Sequence, residues 1–150
     1  RGSVGSRTQF VIHLAKQTYL NSKPSFPSPK TGICNSEIFF SQGKFTLNKS
    51  ARKDLSKAAR CLRKYPTQRV LITGHTDPLK PNYGEGSKLN NVQLGLRRAE
   101  AIMISLTKDG FDSGRFTITS VGAKDPMSTG RSEKSLRKNR RAQIFSSPEI

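Results

Sequence analysis

Residues 71–78 read LITGHTDP. An apolar, β-branched run ends in glycine and then delivers a histidine, a threonine and a carboxylate, Asp77, just ahead of a polar loop. Beyond the loop, NVQLGLRRA (91–99) opens a helical pattern with Arg98 two turns in. In a βα unit, ligands bind outside the carboxyl end of the strand, where the chain enters the helix. The first N–H groups of that helix lack internal partners and carry partial positive charge. Helical side chains lean toward the N-terminus, so Arg98 reaches back over the same mouth. A carboxylate, a guanidinium and a helix N-terminus facing one small volume suit a zwitterion. Its ammonium would sit on Asp77 and its carboxylate on Arg98, through a two-pronged contact that lysine cannot reproduce. An amino-acid head group is such a guest. On local chemistry alone, a plain Asp77–Arg98 ion pair accounts for the two residues equally well.

Other chemistries lack their parts. The two histidines are His13 and His75, and no Cys/His/Asp cluster has metal-ligand spacing. There is no GxSxG elbow and no glycine-rich phosphate loop. His75 reads as a residue that braces the turn through its ring nitrogens. No catalytic group, metal or cofactor is expected. The balance of charge points instead to an anionic partner: 27 Lys+Arg oppose 10 Asp+Glu, a net of +17. Much of that charge lies in KSARKDLSKAARCLRKYP (49–66), where Lys53, Lys57, Arg60 and Lys64 fall opposite Ala51, Leu55, Ala58, Ala59 and Leu62. The charged face carries no stacking aromatics and the chain has no Trp, so specific nucleic-acid binding is not expected. A membrane surface, an acidic glycan or an acidic protein neighbour fits it. No run approaches the ~18 apolar residues of a membrane helix. Cys34 and Cys61 form no CxxC; a single bridge and two buried thiols are equally open readings.

The elements that must hold these residues can be placed along 150 residues, enough for one domain with a real core. Residues 1–32 read as an extension: FVIHLAKQTYL suits one short helix or strand, and NSKPSFPSPKTG is linker-like. SEIFFS (36–41) suits a first strand. Asn48 is placed to cap the basic helix, and Pro66 to stop it. RVLITG (69–74) is continuously apolar, as befits a strand well inside a sheet. Residues 78–90, with two prolines and two glycines, form a long loop. A second amphipathic helix follows from Asn91, closed by Gly110 as a left-handed cap with Phe111 as its apolar partner. RFTITSVG (115–122) alternates as a strand, SEKSLRKN makes a short helical turn, and RRAQIFS is a last strand. The order is β-α-β-α-β-β: an α+β, two-layer sandwich with helices packed on a small mixed sheet. The folded domain spans 33–146, and 147–150 is a tail.

Four ordered motifs then coincide. They are GHTD (74–77), NVQLGLRRA (91–99), VGAKDP (121–126) and NRRAQI (139–144). In this order the chain resembles the OmpA-like (OmpA/MotB C-terminal) peptidoglycan-binding domains, from about Ile38 to Phe145. The resemblance implies non-covalent, non-enzymatic binding of peptidoglycan. In that family the Asp and the Arg hold the free amino-acid end of meso-diaminopimelate in the stem peptide, which carries over to Asp77 and Arg98. Asn91 and Thr76 become further polar contacts or loop braces. Arg140 braces the site near Asp77 or meets the ligand carboxylate. The resemblance also implies a periplasmic place in a Gram-negative envelope, attached to the outer membrane or to an envelope complex by an anchor outside this sequence. The basic helix and the N-terminal extension would meet the membrane or other subunits of such a complex. In that oxidising space a Cys34–Cys61 bridge becomes the expectation. Three departures stand out: Gly95 replaces the common Ser after the helix leucine, the 78–90 loop is long enough to cover the mouth, and Gln143 replaces the usual Glu. A structural subunit of an envelope-spanning assembly, with little or no peptidoglycan binding, is the first alternative, and nucleic-acid binding through the basic first helix is the second.

Overall fold

The computed structural model describes residues 32–80 and 84–147. The expected element in 10–20, the proline-rich stretch to residue 31 and residues 148–150 lie outside the described residues. The chain order is β1 (Ser36–Phe39), α1 (Lys49–Lys64), β2 (Arg69–His75), α2 (Asn91–Lys108), a 3₁₀ turn (Ser113–Arg115), β3 (Phe116–Gly122), α3 (Glu133–Asn139) and β4 (Arg141–Ser147). The four strands form one mixed sheet in the order β1-β4-β2-β3. β4 runs antiparallel to both its neighbours, while β2 and β3 are parallel and joined through α2.

The sheet register explains the burial. Ile38, Ile72, Ala142, Ile144 and Ile118 line up on one face and meet Leu55 and Leu62 of α1 and Ile102, Met103 and Leu106 of α2. Each such aliphatic side chain, removed from water, contributes about 1.5–3 kcal/mol. β2 lies between β4 and β3, and every residue of it after Arg69 is buried. The unbroken apolar run of its sequence is the mark of that central position.

Local signals set the helix ends. The Asn48 side chain accepts from Ala51 N–H at 2.8 Å, and α1 stops at Lys64, ahead of Pro66. α2 is capped by Asn90, one residue before the expected opening residue. Asn90 Oδ1 accepts from Gln93 N–H at 2.8 Å, and Gln93 Oε1 accepts from Asn90 N–H at 2.9 Å, a reciprocal capping box. At the far end Phe111 N–H bonds Leu106 C=O and Gly110 N–H bonds Thr107 C=O, with Gly110 at φ +101°. That is a Schellman ending, and it needs a residue free to adopt positive φ.

Several boundaries differ from the sequence reading, among them those of β1, β2, α3 and β4. β1 ends at Phe39 because the chain turns over Ser41–Lys44, closed by a Lys44 N–H to Ser41 C=O bond of 3.0 Å. β2 runs one residue further, to His75. The expected short turn is a two-turn helix, α3, capped by Ser132. Its own C-cap is Arg140, so β4 starts at Arg141 and continues through Ser147, opposite Arg69, into the expected tail.

Two features fix α2 and α1 in place. A Cβ added to Gly74 would lie 1.7 Å from the Gly95 carbonyl oxygen, and one added to Gly95 would lie 2.3 Å from Ser120 Oγ. Strand and helix therefore touch backbone to backbone just before the residues of interest. A glycine is a poor helix former, but at position 95 it permits this approach. At the opposite end, a Cys34–Cys61 disulfide ties the segment before β1 to α1, with Cα atoms 5.7 Å apart.

Candidate functional site

β2 delivers His75, Thr76 and Asp77 at its carboxyl end, and the Gly74–Gly95 contact brings the first turns of α2 alongside. Asp77 and Arg98 both line one small cavity there, with Thr76, Gln42, Leu79 and Lys80. The two charges do not pair within salt-bridge distance. Asp77 Oδ2 instead accepts from Arg140 Nη1 at 3.2 Å, and its Oδ1 accepts from the Leu79 backbone N–H at 3.0 Å. Arg98 is completely buried. Its Nε donates to Lys44 C=O at 2.8 Å, Nη1 to His75 C=O at 2.9 Å and Nη2 to Ser41 C=O at 3.2 Å, while the guanidinium lies 5.3 Å from the Phe40 ring centre. Three of its five N–H donors are thus spent on backbone. Burial lowers the Arg98 pKa to about 10; nearby Asp77 opposes that shift and Arg140 adds to it. The group remains charged at neutral pH.

Arg140 is the hinge of the charge network. One guanidinium nitrogen holds Asp77 inside the cup, and the other holds Glu133 Oε2 at 2.6 Å on the exposed first turn of α3. The hydrogen bond and charge of Arg140 hold the Glu133 carboxyl below the ordinary range. Thr76 lines the cavity, yet its hydroxyl donates to the Asp77 carbonyl at 2.9 Å. Asn91 does not line it: it is the first residue of α2, and its Oδ1 is buried without a partner. The cavity measures about 10 Å³, room for one water and not for an amino-acid head group. Leu79 and Lys80 line it from the start of the long loop. On the other side of Arg140, a larger open cup of about 420 Å³ lies between Phe39, the first turn of α1 and Glu133.

A family model described as the OmpA family matches residues 39–140 of this chain. The chain belongs to the OmpA family. A peptidoglycan-associated lipoprotein of Buchnera aphidicola subsp. Baizongia pistaciae is 31% identical over 108 residues, which cover 72% of this chain and 59% of that relative. The chain thus spans about three-fifths of that relative's length. Among solved structures, the peptidoglycan-associated lipoprotein from Burkholderia pseudomallei aligns with a TM-score of 0.63 at 27% identity, over 74% of this chain and 89% of that one. The C-terminal domain of Helicobacter pylori MotB aligns with a TM-score of 0.68 at 20% identity, over 77% and 86%, a likeness of fold. The α+β sandwich on a small mixed sheet is the architecture of these OmpA-like neighbours.

Within this OmpA-family frame, two departures acquire physical reasons. The helix leucine is followed by Gly95, and the space a Ser side chain would claim is held by Ser120 Oγ. Gln143 sits between His75 and Glu37: its Oε1 accepts from His75 Nε2 at 2.9 Å, and its Nε2 donates to Glu37 Oε2 at 3.2 Å. A Glu at 143 would face Glu37 as a like charge. His75 itself is buried, and its pKa falls to about 4, chiefly through burial and secondly through Arg141; the Gln143 bond and Asp125 act the other way. Its Nε2 ties the end of β2 to Gln143 on β4; among the described residues no group of His, Cys, Asp and Glu could hold a metal.

Sequence reasoning missed three contributors. Glu133 shares Arg140 with Asp77. The carbonyls of Ser41 and Lys44 orient Arg98 from more than fifty positions away. Glu85 accepts from the backbone N–H groups of Phe45 and Thr46 and from the Thr46 hydroxyl, clipping the end of the long loop to the turn after β1. Burial raises the Glu85 pKa, and these bonds outweigh it to leave a net lowering. No local pattern marks these residues, because their partners meet only in the fold.

Proposed function

We propose that this domain binds peptidoglycan non-covalently through the zwitterionic head group of a diaminopimelate-type stem peptide, and so anchors a Gram-negative envelope protein or complex to the wall from the periplasm. The observation that carries the reading is the convergence of Asp77 and Arg98 on one cavity at the carboxyl end of β2, in an OmpA-family domain. The names of its relatives, peptidoglycan-associated lipoproteins, support the same partner. The chemistry is recognition, with no bond made or broken.

The guest's ammonium replaces the Leu79 N–H on Asp77 Oδ1, which requires Leu79 and Lys80 to leave the mouth. Its carboxylate takes the two N–H donors that Arg98 has not committed to backbone. Arg140 keeps Asp77 ionised and aimed while the exchange occurs. The small contact area makes each binding event modest, so anchoring depends on tethering or on many copies.

Retention on purified diaminopimelate-type peptidoglycan tests this. Wild type is retained, and free diaminopimelate competes. Asp77→Asn, which keeps the shape and removes the charge, loses retention at least about tenfold. Equal retention of Asp77→Asn, checked as folded by circular dichroism, removes the reading. The tightness of the cavity, about 10 Å³, favours the second reading, an assembly subunit of the envelope that keeps the fold with little wall binding. Wild type that stays unbound under all these conditions selects it.

A further inference from the structure

The exposed side of α1 has no work in the site just described. Lys53, Lys57, Arg60 and Lys64 lie at its centre and Arg52 and Arg63 at its edge, all exposed, within an arc of about 140° at 100° per residue. Among the described residues, no carboxylate pairs with any of them. Asp54, the helix's one acid, points away from the arc toward the cup beside Glu133. A charged face of this kind, left unpaired, raises the local concentration of anions.

At the C-terminal end of α1 the face changes character. Ile33 is 48% exposed and Tyr65 39% exposed. They border a shallow depression of about 610 Å³ together with Arg60, Arg63 and Lys64. Ile33 is set there covalently, because its neighbour Cys34 is bonded to Cys61 on the helix. An aliphatic and a phenol ring side by side, rimmed by cations, have the composition of a surface that rests on a bilayer: apolar tips enter the headgroup layer, and long basic side chains stay with the phosphates. A nucleic acid would have no use for Ile33. The depression also lies at the far end of α1 from Asp77. Arg98 binds carbonyls just upstream of the helix start, and α1 is roughly 24 Å long.

We infer that the α1 face and the Ile33–Tyr65 depression form a docking surface for a bilayer bearing anionic phospholipid, separate from the cup at the other end of the domain. The partner chemistry is phosphodiester charge at high surface density over an apolar interior. Bound this way, the domain holds a lipid surface at one end and leaves the β2–α2 mouth clear of lipid at the other. The inference does not rest on the wall reading.

The test is flotation of the full chain with vesicles of phosphatidylcholine alone and of an equal mixture of phosphatidylcholine and phosphatidylglycerol. Binding is expected only to the anionic vesicles, and it falls when salt is raised from about 0.15 M to about 1 M, where the screening length drops to about 3 Å. Lys57→Glu/Arg60→Glu/Lys64→Glu weakens it by more than about tenfold, at roughly 1 kcal/mol per basic residue near the surface. Ile33→Ser/Tyr65→Ser weakens it by a smaller factor that high salt does not erase. Both variants keep the wild-type circular dichroism, and their retention on peptidoglycan equals that of wild type, whatever that value is. Equal binding to neutral vesicles, no binding to anionic ones, or undiminished binding of the triple variant overturns the inference. So does duplex DNA binding as tight as vesicle binding with no effect of Ile33→Ser/Tyr65→Ser, which marks a general polyanion surface.

Discussion

The two ends of this domain use the same residue type in opposite ways. Around Asp77, two arginines are buried, and each has three of its donors assigned: Arg98 to three carbonyls, Arg140 to two carboxylates and the Phe40 carbonyl. Along α1 the arginines and lysines are exposed and meet no carboxylate among the described residues. In the first region a charge is desolvated, so its position is decided by partners and its loss leaves them stranded. In the second, each charge is hydrated, and only their number and shared direction matter. A net charge of +17 therefore says a good deal about one end of the molecule and almost nothing about the other.

Substitutions can break that contrast. The largest effect is expected for Arg98→Ala, which leaves the Ser41, Lys44 and His75 carbonyls without their donor in a dry site. The loss should be about 3–5 kcal/mol in denaturant unfolding, and Arg98→Lys should recover less than half of it, since one ammonium cannot reach three diverging acceptors. If Arg98→Ala melts like wild type, the guanidinium is not a structural centre of the fold.

Next comes the Asp77–Arg140 pair. Arg140→Ala strands a buried carboxylate and should cost about 3 kcal/mol, as should Asp77→Ala in the reverse sense. The double variant should lose clearly less than the sum of the two, with a coupling of about 1–3 kcal/mol read from the double-mutant cycle. Additive losses would mean that the pair is incidental.

A pH titration sharpens the same point through His75. Its folded-state pKa lies at about 4 against an ordinary 6.5, so the unfolded chain binds the extra proton first. This contribution is complete above about pH 6.5 and is lost as pH falls toward 4, with a total of about 3 kcal/mol. In His75→Gln the part of the acid dependence that falls in this window should vanish. The smallest effect belongs to the other end: Lys57→Ala should change stability by less than about 0.5 kcal/mol. A larger change would show that the α1 cations are part of the fold's internal bonding.

Much of the architecture was legible in advance, and for local reasons. The spacing of Leu55, Ala58 and Leu62, the cap at Asn48 and the glycine at 110 act over three or four residues, so they can be read without knowing what lies across the core. The continuous burial of β2 shows in its composition. Boundaries at Phe39 and Arg141 were not legible, because a turn closing at Lys44 and a helix cap at Arg140 compete there with strand-like sequence. In the site, Asp77 and Arg98 stand out by type and by their places at a strand end and a helix start. Their partners do not: Glu133 precedes Arg140 by two turns of a helix that reads weakly, and the Ser41 and Lys44 carbonyls leave no mark on side-chain sequence at all.

The sequence by itself determined that a carboxylate and a guanidinium would arrive at the same mouth, and that the cations of the first helix would share one face. Both follow from fixed backbone periods. Only the tertiary structure decided which charges would meet: Asp77 took Arg140 instead of Arg98, and Arg98 took three carbonyls. It also decided that the Leu79 N–H would occupy Asp77 Oδ1 and that a disulfide would set Ile33 beside the basic helix. Pairing in a dry interior depends on distances of a few tenths of an ångström between segments far apart in the chain, and those are set by packing.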